Sequence, residues 1–506
     1  MFAAPLGYLV AEVPHHLGAS IDALRDGEVA GPLGRTLVLA VSVTLSATVA
    51  GTGLAWLTTR TDVPLRRVWR ILAPLPLVIP SFVGASALLA ALAEGGLLDE
   101  LVGFDQRPDL YGFRGAWLVL TLFTYPYVYL PVAARFAALP PSLEESARLL
   151  GRRGPNVFRT VVLPQAAPAI GAGALLVFLY TISDFGAVQL LRYDTLTRVI
   201  YANRLVDRTT SQVFALLLGV LAITVVVAER AATRRRARVE LTRARRPLAI
   251  QLGRWRWPSF LAAGGLLSAA LLVPLSVLAW WAFRGATNRG VARLNVDGQE
   301  VGELVVNTMA VSVVAAVAAV VLVLPVAYLS ARHRSSAGGV ANALVVAGFA
   351  LPGLVIALSI TYWVLQAPGG AGLYQTFPVL IVAYVIHFGA QAMRAGQIAV
   401  AAVPHRLEDA ARMLGAARVR RFRTLEVPLM LPGLAAGAGL VLLSTMKELP
   451  ATLLLAPIGF RTLATRVWSW AEEGFLAEAG LLGLVLVAVS GVLTWVLVIR
   501  RSDVLD

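Results

Sequence analysis

Cysteine is absent from the 506 residues, and lysine occurs once, at Lys447. The first absence excludes disulfides, thiolate metal sites and thiol catalysis. Charge is scarce as a class: 14% of residues are Asp, Glu, Lys or Arg, where soluble domains carry about 25%. No Gly-x-x-x-x-Gly-Lys-Ser/Thr phosphate loop occurs, and the polar stretches are too short for a nucleotide-binding domain, so this chain is expected to bind no cofactor and to hydrolyse no ATP. Residues 1–13 are apolar but lack the basic start of a cleavable signal, so none is expected. His15, His16, His333, His387 and His405 show no ligand spacing beyond the adjacent pair and read as surface or loop residues. A membrane enzyme would need His, Asp or Glu clustered at one membrane face, and no such cluster is found.

Apolar residues fill the space that charge leaves. They make up 58% of the chain, and mean hydropathy is +0.74. They fall in blocks of about 20, the length that crosses a bilayer core as helix; 36–57, 117–138, 305–329 and 481–499 are examples. The expected fold class is therefore an all-α polytopic membrane protein with the lipid bilayer as its solvent. The net charge of +15 sits in short loops and one connecting stretch, which is the signature of cytoplasmic loops. No aromatic-rich basic domain stands apart, so nucleic acid is not an expected partner.

The chain is a duplication. Leu143-Glu144-Glu145-Ser146-Ala147-Arg148-Leu149-Leu150-Gly151 recurs 264 residues on as Leu407-Glu408-Asp409-Ala410-Ala411-Arg412-Met413-Leu414-Gly415. At the same offset Phe158-Arg159-Thr160 matches Phe422-Arg423-Thr424, and Pro164 and Pro168 match Pro428 and Pro432. The expected organisation is a first half at 1–228, a basic cytoplasmic linker at 229–257 and a second half at 258–506. Spans are expected at 34–58, 68–93, 115–138, 165–183 and 212–228, then at 258–283, 305–329, 341–365, 377–397, 429–446 and 479–499, for 11–12 in all. The first half is one helix short. Ala4-Pro5-Leu6-Gly7-Tyr8-Leu9 is similar to Val273-Pro274-Leu275-Ser276-Val277-Leu278, so the sequence is expected to start inside a truncated first helix.

Each repeat lies in a loop expected inside the cell, between the fourth and fifth spans of its half. The first copy reads Glu145-Ser146-Ala147, three residues, Gly151, nine residues, Val161-Val162-Leu163-Pro164. The second reads Asp409-Ala410-Ala411, Gly415 and Leu425-Glu426-Val427-Pro428. One copy could be an ordinary interfacial amphipathic helix; two at one topological position, each with Gly and Pro in register, argue for a shared task. The pattern resembles the coupling-loop signature of ABC-importer permeases, with Ser146, Asp409 and Val427 as departures. That resemblance implies a type I importer-like permease, a separate cytoplasmic ABC ATPase in two copies that uses the ATP, and docking through Glu145, Ala147, Gly151, Pro164, Asp409, Ala411, Gly415 and Pro428. It also implies residence in the bacterial cytoplasmic (inner) membrane. The small residues beyond each loop, Gly171-Ala172-Gly173 and Gly433 to Gly439, are expected to join the two halves.

Ionisable residues inside a membrane protein are functional candidates. The repeat offset pairs Asp184 with Glu448, beside Lys447. Counted from the entry prolines they lie about 30 Å up, at the outer ends of matched helices, as substrate-path or outer-gate residues. Two readings stand side by side: hard oxygen ligands along a cation path, or local caps and pairs with Lys447 and Arg192. No metal ligand set is assigned. Tyr125-Pro126-Tyr127-Val128-Tyr129 reads either as path lining or as packing.

Lys447-Glu448-Leu449-Pro450-Ala451-Thr452 with Thr462-Leu463-Ala464-Thr465-Arg466-Val467-Trp468, and Ser183-Asp184-Phe185-Gly186 with Tyr193-Asp194-Thr195-Leu196-Thr197, resemble the fused permeases of ferric-iron importers. The family implies an external solute-binding protein and iron as cargo. Related fused permeases carry thiamine or other small solutes. An ion-gradient-driven secondary transporter, built of broken helices with ionisable residues inside them, is the alternative from another class.

Overall fold

The computed structural model describes residues 2, 4–12, 29–103, 105, 108–152, 154–234, 250–287, 296–332 and 336–496. Among these, all regular structure is helical apart from an isolated bridge between Thr61 and Ile250. Most of the basic linker, and His15, His16 and His333, lie outside the described residues.

The first repeat runs α1 (Ala4–Glu12), α2 (Ala30–Arg60), α3 (Arg66–Leu72), α4 (Ser81–Leu92), α5 (Leu97–Val102) and α6 (Phe113–Ala138). It continues through α7 (Pro141–Leu149), α8 (Gly154–Val157), α9 (Leu163–Ser183), α10 (Gly186–Leu190), α11 (Leu196–Asn203) and α12 (Arg208–Arg234). The second runs α13 (Arg256–Leu267), α14 (Val273–Ala286), α15 (Gly298–Arg332), α16 (Ser336–Ala350), α17 (Gly353–Gln366) and α18 (Phe377–Ala401). It ends with α19 (His405–Met413), α20 (Arg418–Arg421), α21 (Val427–Met446), α22 (Pro450–Leu455), α23 (Leu463–Glu473) and α24 (Leu476–Thr494). Ten helices among the described residues are long and apolar enough to span a bilayer, or eleven with α16 and α17 counted as one bent span.

The long helices α2 and α15 carry exposed stripes of Val38, Val41, Leu45 and Val49, and of Val306, Val313, Val317 and Val321. Helical spacing puts each set on one face, and such a stripe suits lipid rather than water.

Two expected spans are not continuous. The 68–93 block breaks into α3, a 3₁₀ turn at Leu75–Val78, and α4. Pro74, Pro76 and Pro80 explain this, since each lacks an N–H and bars a normal helical turn. The 341–365 block bends by 107° between α16 and α17, at Leu351-Pro352, where a residue preceding proline is forced out of helical conformation. Hydropathy alone does not register these breaks.

Prolines also shape three other helices. π-helical turns at Phe158–Val162, Ser268–Leu272 and Phe422–Glu426 each end one residue before Leu163-Pro164, Val273-Pro274 or Val427-Pro428. A proline one turn along removes a hydrogen bond and crowds the carbonyl four residues back, and widening the turn relieves both.

The halves interlock by exchanging their first helices. α14 packs on α4 of the first half, and α1 packs on α17 of the second. Trp281 Nε1 donates to the Ala90 carbonyl at 2.8 Å, and Trp280 Nε1 to that of Gly95 at 3.1 Å. On the other side Tyr8 donates to Gln366 at 2.9 Å and accepts from Arg208 at 3.1 Å. α1 therefore stands where α14 stands, as their sequence likeness implies.

The glycine-rich stretches do something other than expected. A Cβ on Gly173 would meet Val128 Cα at 2.6 Å, and one on Gly437 would meet Ala395 Cβ at 2.6 Å. The small residues thus bring α9 against α6 and α21 against α18 inside each half, instead of joining the halves.

Candidate functional site

Each repeat loop is a helical hairpin built from local rules. Pro140 and Pro404 precede α7 and α19 in extended conformation and set the chain to start a helix. Both helices stop at a left-handed glycine, Gly151 with φ +81° and Gly415 with φ +75°. The amides of Gly151 and Arg152 bond the carbonyls of Arg148 and Ala147, at 2.9 and 3.1 Å. Those of Gly415 and Ala416 bond Arg412 and Ala411, at 2.9 and 3.0 Å. This is the glycine-terminated helix end expected of such sequences. A Cβ on either glycine would meet nothing within 4 Å, so the requirement is conformational and not steric. Pro164 and Pro428 then open the first turns of α9 and α21.

Glu145 and Asp409 of the repeat are exposed, and Asp409 makes only a 3.7 Å contact with Arg412. Ala147 is buried and Ala411 half-buried. The acidic residues that anchor the loops are their neighbours. Glu144, 2% exposed, forms an ion pair with Arg60 at the end of α2; Glu408, 7% exposed, pairs with Arg332 at the end of α15 at 2.6 Å. Arg60 also donates to the Phe136 carbonyl at 3.4 Å, and Arg332 to that of Val403 at 2.8 Å. A signal existed in the sequence: the glutamate is identical between copies at 144 and 408, but not at 145 and 409.

A second contact recurs beyond the glycine turn. Trp56 meets Phe158 edge-on at 5.8 Å, and Tyr328 meets Phe422 at 6.3 Å. The second half adds a polar tie: Glu426 accepts from Arg421 Nε and from the Tyr328 hydroxyl, both at 3.0 Å. Val157 and Val162, both buried, fill the matching places in the first half.

Between these anchors the loop tips are bare. Leu149 and Leu150 are 89% and 82% exposed, and Met413 and Leu414 are 88% and 87% exposed.

A cavity of about 260 Å³ lies where the halves meet. Asp184 and Glu448 both line it, and both cap short helices. Asp184 accepts from Ser81 Oγ at 2.5 Å and from the amides of Ala187 and Val188 at 3.0 and 3.4 Å. Glu448 accepts from the amides of Ala451 and Thr452, at 3.0 and 3.2 Å. Asp184 directly follows α9 and Glu448 lies two residues past α21, at the ends of matched helices as the count from the entry prolines implied. Ser81 starts α4, whose 12 residues run on for about 18 Å beyond it; the carboxylates sit at helix breaks inside the protein. Lys447 Nζ turns away from Glu448 and donates to the Leu77 carbonyl at 2.8 Å. Arg192 lies over the Tyr111 ring at 4.9 Å.

The repeat offset exposes an asymmetry in the cavity. Phe123, Tyr127 and Tyr180 line one side, and their counterparts His387, Gln391 and Ser444 line the other. Tyr127 and Tyr180 pack as rings 5.7 Å apart, whereas Gln391 and Ser444 exchange hydrogen bonds of 2.9 and 3.1 Å. Of the three tyrosines singled out in the sequence, only Tyr127 faces the cavity. Tyr125 bonds the Ala73 carbonyl at 2.9 Å and Tyr129 pairs with Thr58 at 3.2 Å, both buried in packing. Among the described residues, no group of three or more His, Asp or Glu side chains could share a metal ion.

Comparison with known proteins gives one family and several relatives. The family model described as binding-protein-dependent transport system inner membrane component matches twice, over residues 47–236 and 323–502. A Fe(3+)-transport system permease protein of Haemophilus influenzae is 30% identical over 482 residues, covering 94% of this chain and 91% of that one. A ferric transport system permease protein of Actinobacillus pleuropneumoniae is 22% identical over 493 residues, covering 92% and 70%. A sulfate transport system permease protein of Salmonella typhimurium is 29% identical over 185 residues, covering 36% and 67%.

Proposed function

The chain belongs to the family of binding-protein-dependent transport system inner membrane components, and from that premise we propose that it forms the path of an ABC importer for ferric iron. A solute-binding protein delivers the cargo outside. Two copies of a separate ABC ATPase drive transport and use the ATP, one beneath each repeat loop.

The observation that carries this reading is the duplicated bare tip. Leu149-Leu150 and Met413-Leu414 stand in matched places, almost fully exposed, beyond the membrane helices on the side where positive charge puts the cytoplasm. Apolar side chains that project so far from a fold are anchors for a partner's pocket. The arginines on the same helices, Arg148 and Arg412, surround them with positive charge suited to an acidic groove rim. Gly151 and Pro164, with Gly415 and Pro428, shape the two hairpins, Ala147 and Ala411 pack on their inner side, and Glu145 and Asp409 stand exposed for the partner.

Iron as cargo rests on full-length likeness to permeases named for ferric transport and on a cavity with a carboxylate from each half. Oxygen ligands that are already engaged as caps give a hard cation a favourable potential without a cage. Lys447 and the partial likeness to a sulfate transport permease favour an oxyanion instead.

The test is ATP hydrolysis by the reconstituted permease and ATPase with binding proteins loaded with ferric iron, sulfate or thiamine. Stimulation by the iron-loaded protein alone is expected. Stimulation by another loaded protein alone reassigns the cargo and leaves the importer reading intact.

A further inference from the structure

The two halves differ at most matched positions that line the cavity, yet the same two contacts grip the repeat loop in both. Arg60 and Arg332 hold the helix before the glycine turn through Glu144 and Glu408. Trp56 and Tyr328, one helical turn earlier on the same long helix, hold the segment after it through Phe158 and Phe422. Both matched pairs are 272 residues apart, Trp56 to Tyr328 and Arg60 to Arg332.

Two contacts on either side of a hinge do what one cannot. A loop held at a single point can pivot under a push; held at two, it moves with the long helix as one body. The ion pairs are removed from water on both sides, with side-chain exposures of 1% and 3% for Arg60–Glu144 and 7% and 9% for Arg332–Glu408. Their attraction is therefore little screened, and a lone charge left there is heavily penalised.

The long helices lead to the cavity. A Cβ on Gly51 of α2 would meet the Tyr125 carbonyl at 2.7 Å and Val128 Cβ at 2.9 Å, so the backbones of α2 and α6 touch. α6 carries Phe123 and Tyr127 on the cavity wall. In the second half a Cβ built on Gly396 of α18 would meet the Ala327 Cβ of α15 at 3.1 Å, so these helices also pack closely, and α18 carries His387 and Gln391.

We propose that Arg60–Glu144 and Arg332–Glu408, backed by Trp56–Phe158 and Tyr328–Phe422, are the positioning residues that transmit movement between the ATPase-facing loops and the cavity. The proposal rests on the docking reading of the loops given above.

The test uses the full importer in lipid, with the Arg332→Met, Glu408→Met double variant and its Arg60→Met, Glu144→Met counterpart. Apolar replacement of both partners removes the strut without leaving a lone buried charge. Because the chain has no cysteine of its own, Met413→Cys or Leu149→Cys can report docking by crosslinking to the ATPase. The expected result is an unchanged crosslink and basal hydrolysis within about twofold, with stimulation by the cargo-loaded binding protein falling about tenfold, inside the usual range of coupling between sites. A merely structural pair would leave stimulation as it was, and that result overturns the proposal. If a double variant fails to insert, Trp56→Leu with Tyr328→Leu removes the second contact and must uncouple in the same way; full stimulation there overturns it too. Absence of any crosslink in the otherwise unsubstituted importer sinks the docking reading itself, and the proposal with it.

Discussion

Lys447 Nζ, in the second half, donates a 2.8 Å hydrogen bond to the carbonyl of Leu77, in the first. The lone lysine of the chain thus closes a gap that prolines open. Pro74, Pro76 and Pro80 interrupt the helix around Leu77, and its carbonyl finds a partner across the boundary between halves. Replacing Lys447 with Met keeps the stem and removes the donor. The carbonyl, on half-buried Leu77 at the cavity edge, then loses this hydrogen bond, at about 0.5–1.5 kcal/mol, and thermal unfolding of the purified permease is expected to begin a few degrees lower. An unchanged melting curve with altered uptake would mean that the ammonium acts on the cargo instead.

Asp184 and Glu448 separate the cap from the charge. Asn and Gln keep a carbonyl oxygen that can accept the same backbone amides, so Asp184→Asn with Glu448→Gln is expected to leave stability nearly intact. Alanine at either place loses the cap, for about 0.5–2 kcal/mol. If the carboxylates attract a cation into the cavity, the amide double variant slows iron uptake about tenfold at limiting cargo, as expected when a focusing charge is lost. Unchanged uptake kinetics would leave them as caps only.

Gly415 tests what kind of constraint ends the repeat helix. Its φ of +75° with open space around a built Cβ makes the requirement one of backbone conformation. Asn, which tolerates the left-handed region, is expected to support uptake, whereas Val, at a penalty of about 1–2 kcal/mol or more, is expected to abolish it while the protein still inserts. Equal activity of the two would remove the turn from the argument. Gly151, at φ +81°, should behave alike.

What could be read from the sequence was local. Pro404, Gly415 and Pro428 act on their own backbone, so their spacing revealed the hairpin and its repetition. The same prolines at 74, 76, 80 and 352 were in plain view, but long apolar blocks suggested unbroken spans. Pairing over distance left less trace. Arg60 is 84 residues from Glu144, and nothing near either residue announces the other. Asp184 and Glu448 were found by the repeat offset, and counting along the helices put them at the helix ends, but the cavity they line together left no trace in the sequence. The small residues were recognised as contact makers, but composition cannot say which neighbour they touch.

Trp468 shows how the outer side of the two halves is held. It is 2% exposed, on α23 of the second half, and its ring lies 6.3 Å from Phe82 and 5.3 Å from Phe185, both of the first half. A capping box of Thr462 and Thr465 starts α23 and fixes the approach of the ring. Phe185 directly follows Asp184, so the indole supports the very turn that carries the carboxylate. Trp468→Ala opens a cavity among aromatic rings, at about 3–5 kcal/mol where large buried rings are removed. The expected outcomes are a lower unfolding temperature and a loss of uptake that Trp468→Phe largely restores, since a smaller ring still meets both partners. Normal uptake by the alanine variant, with lowered stability, would mean that the ring holds the halves together without setting the position of Asp184.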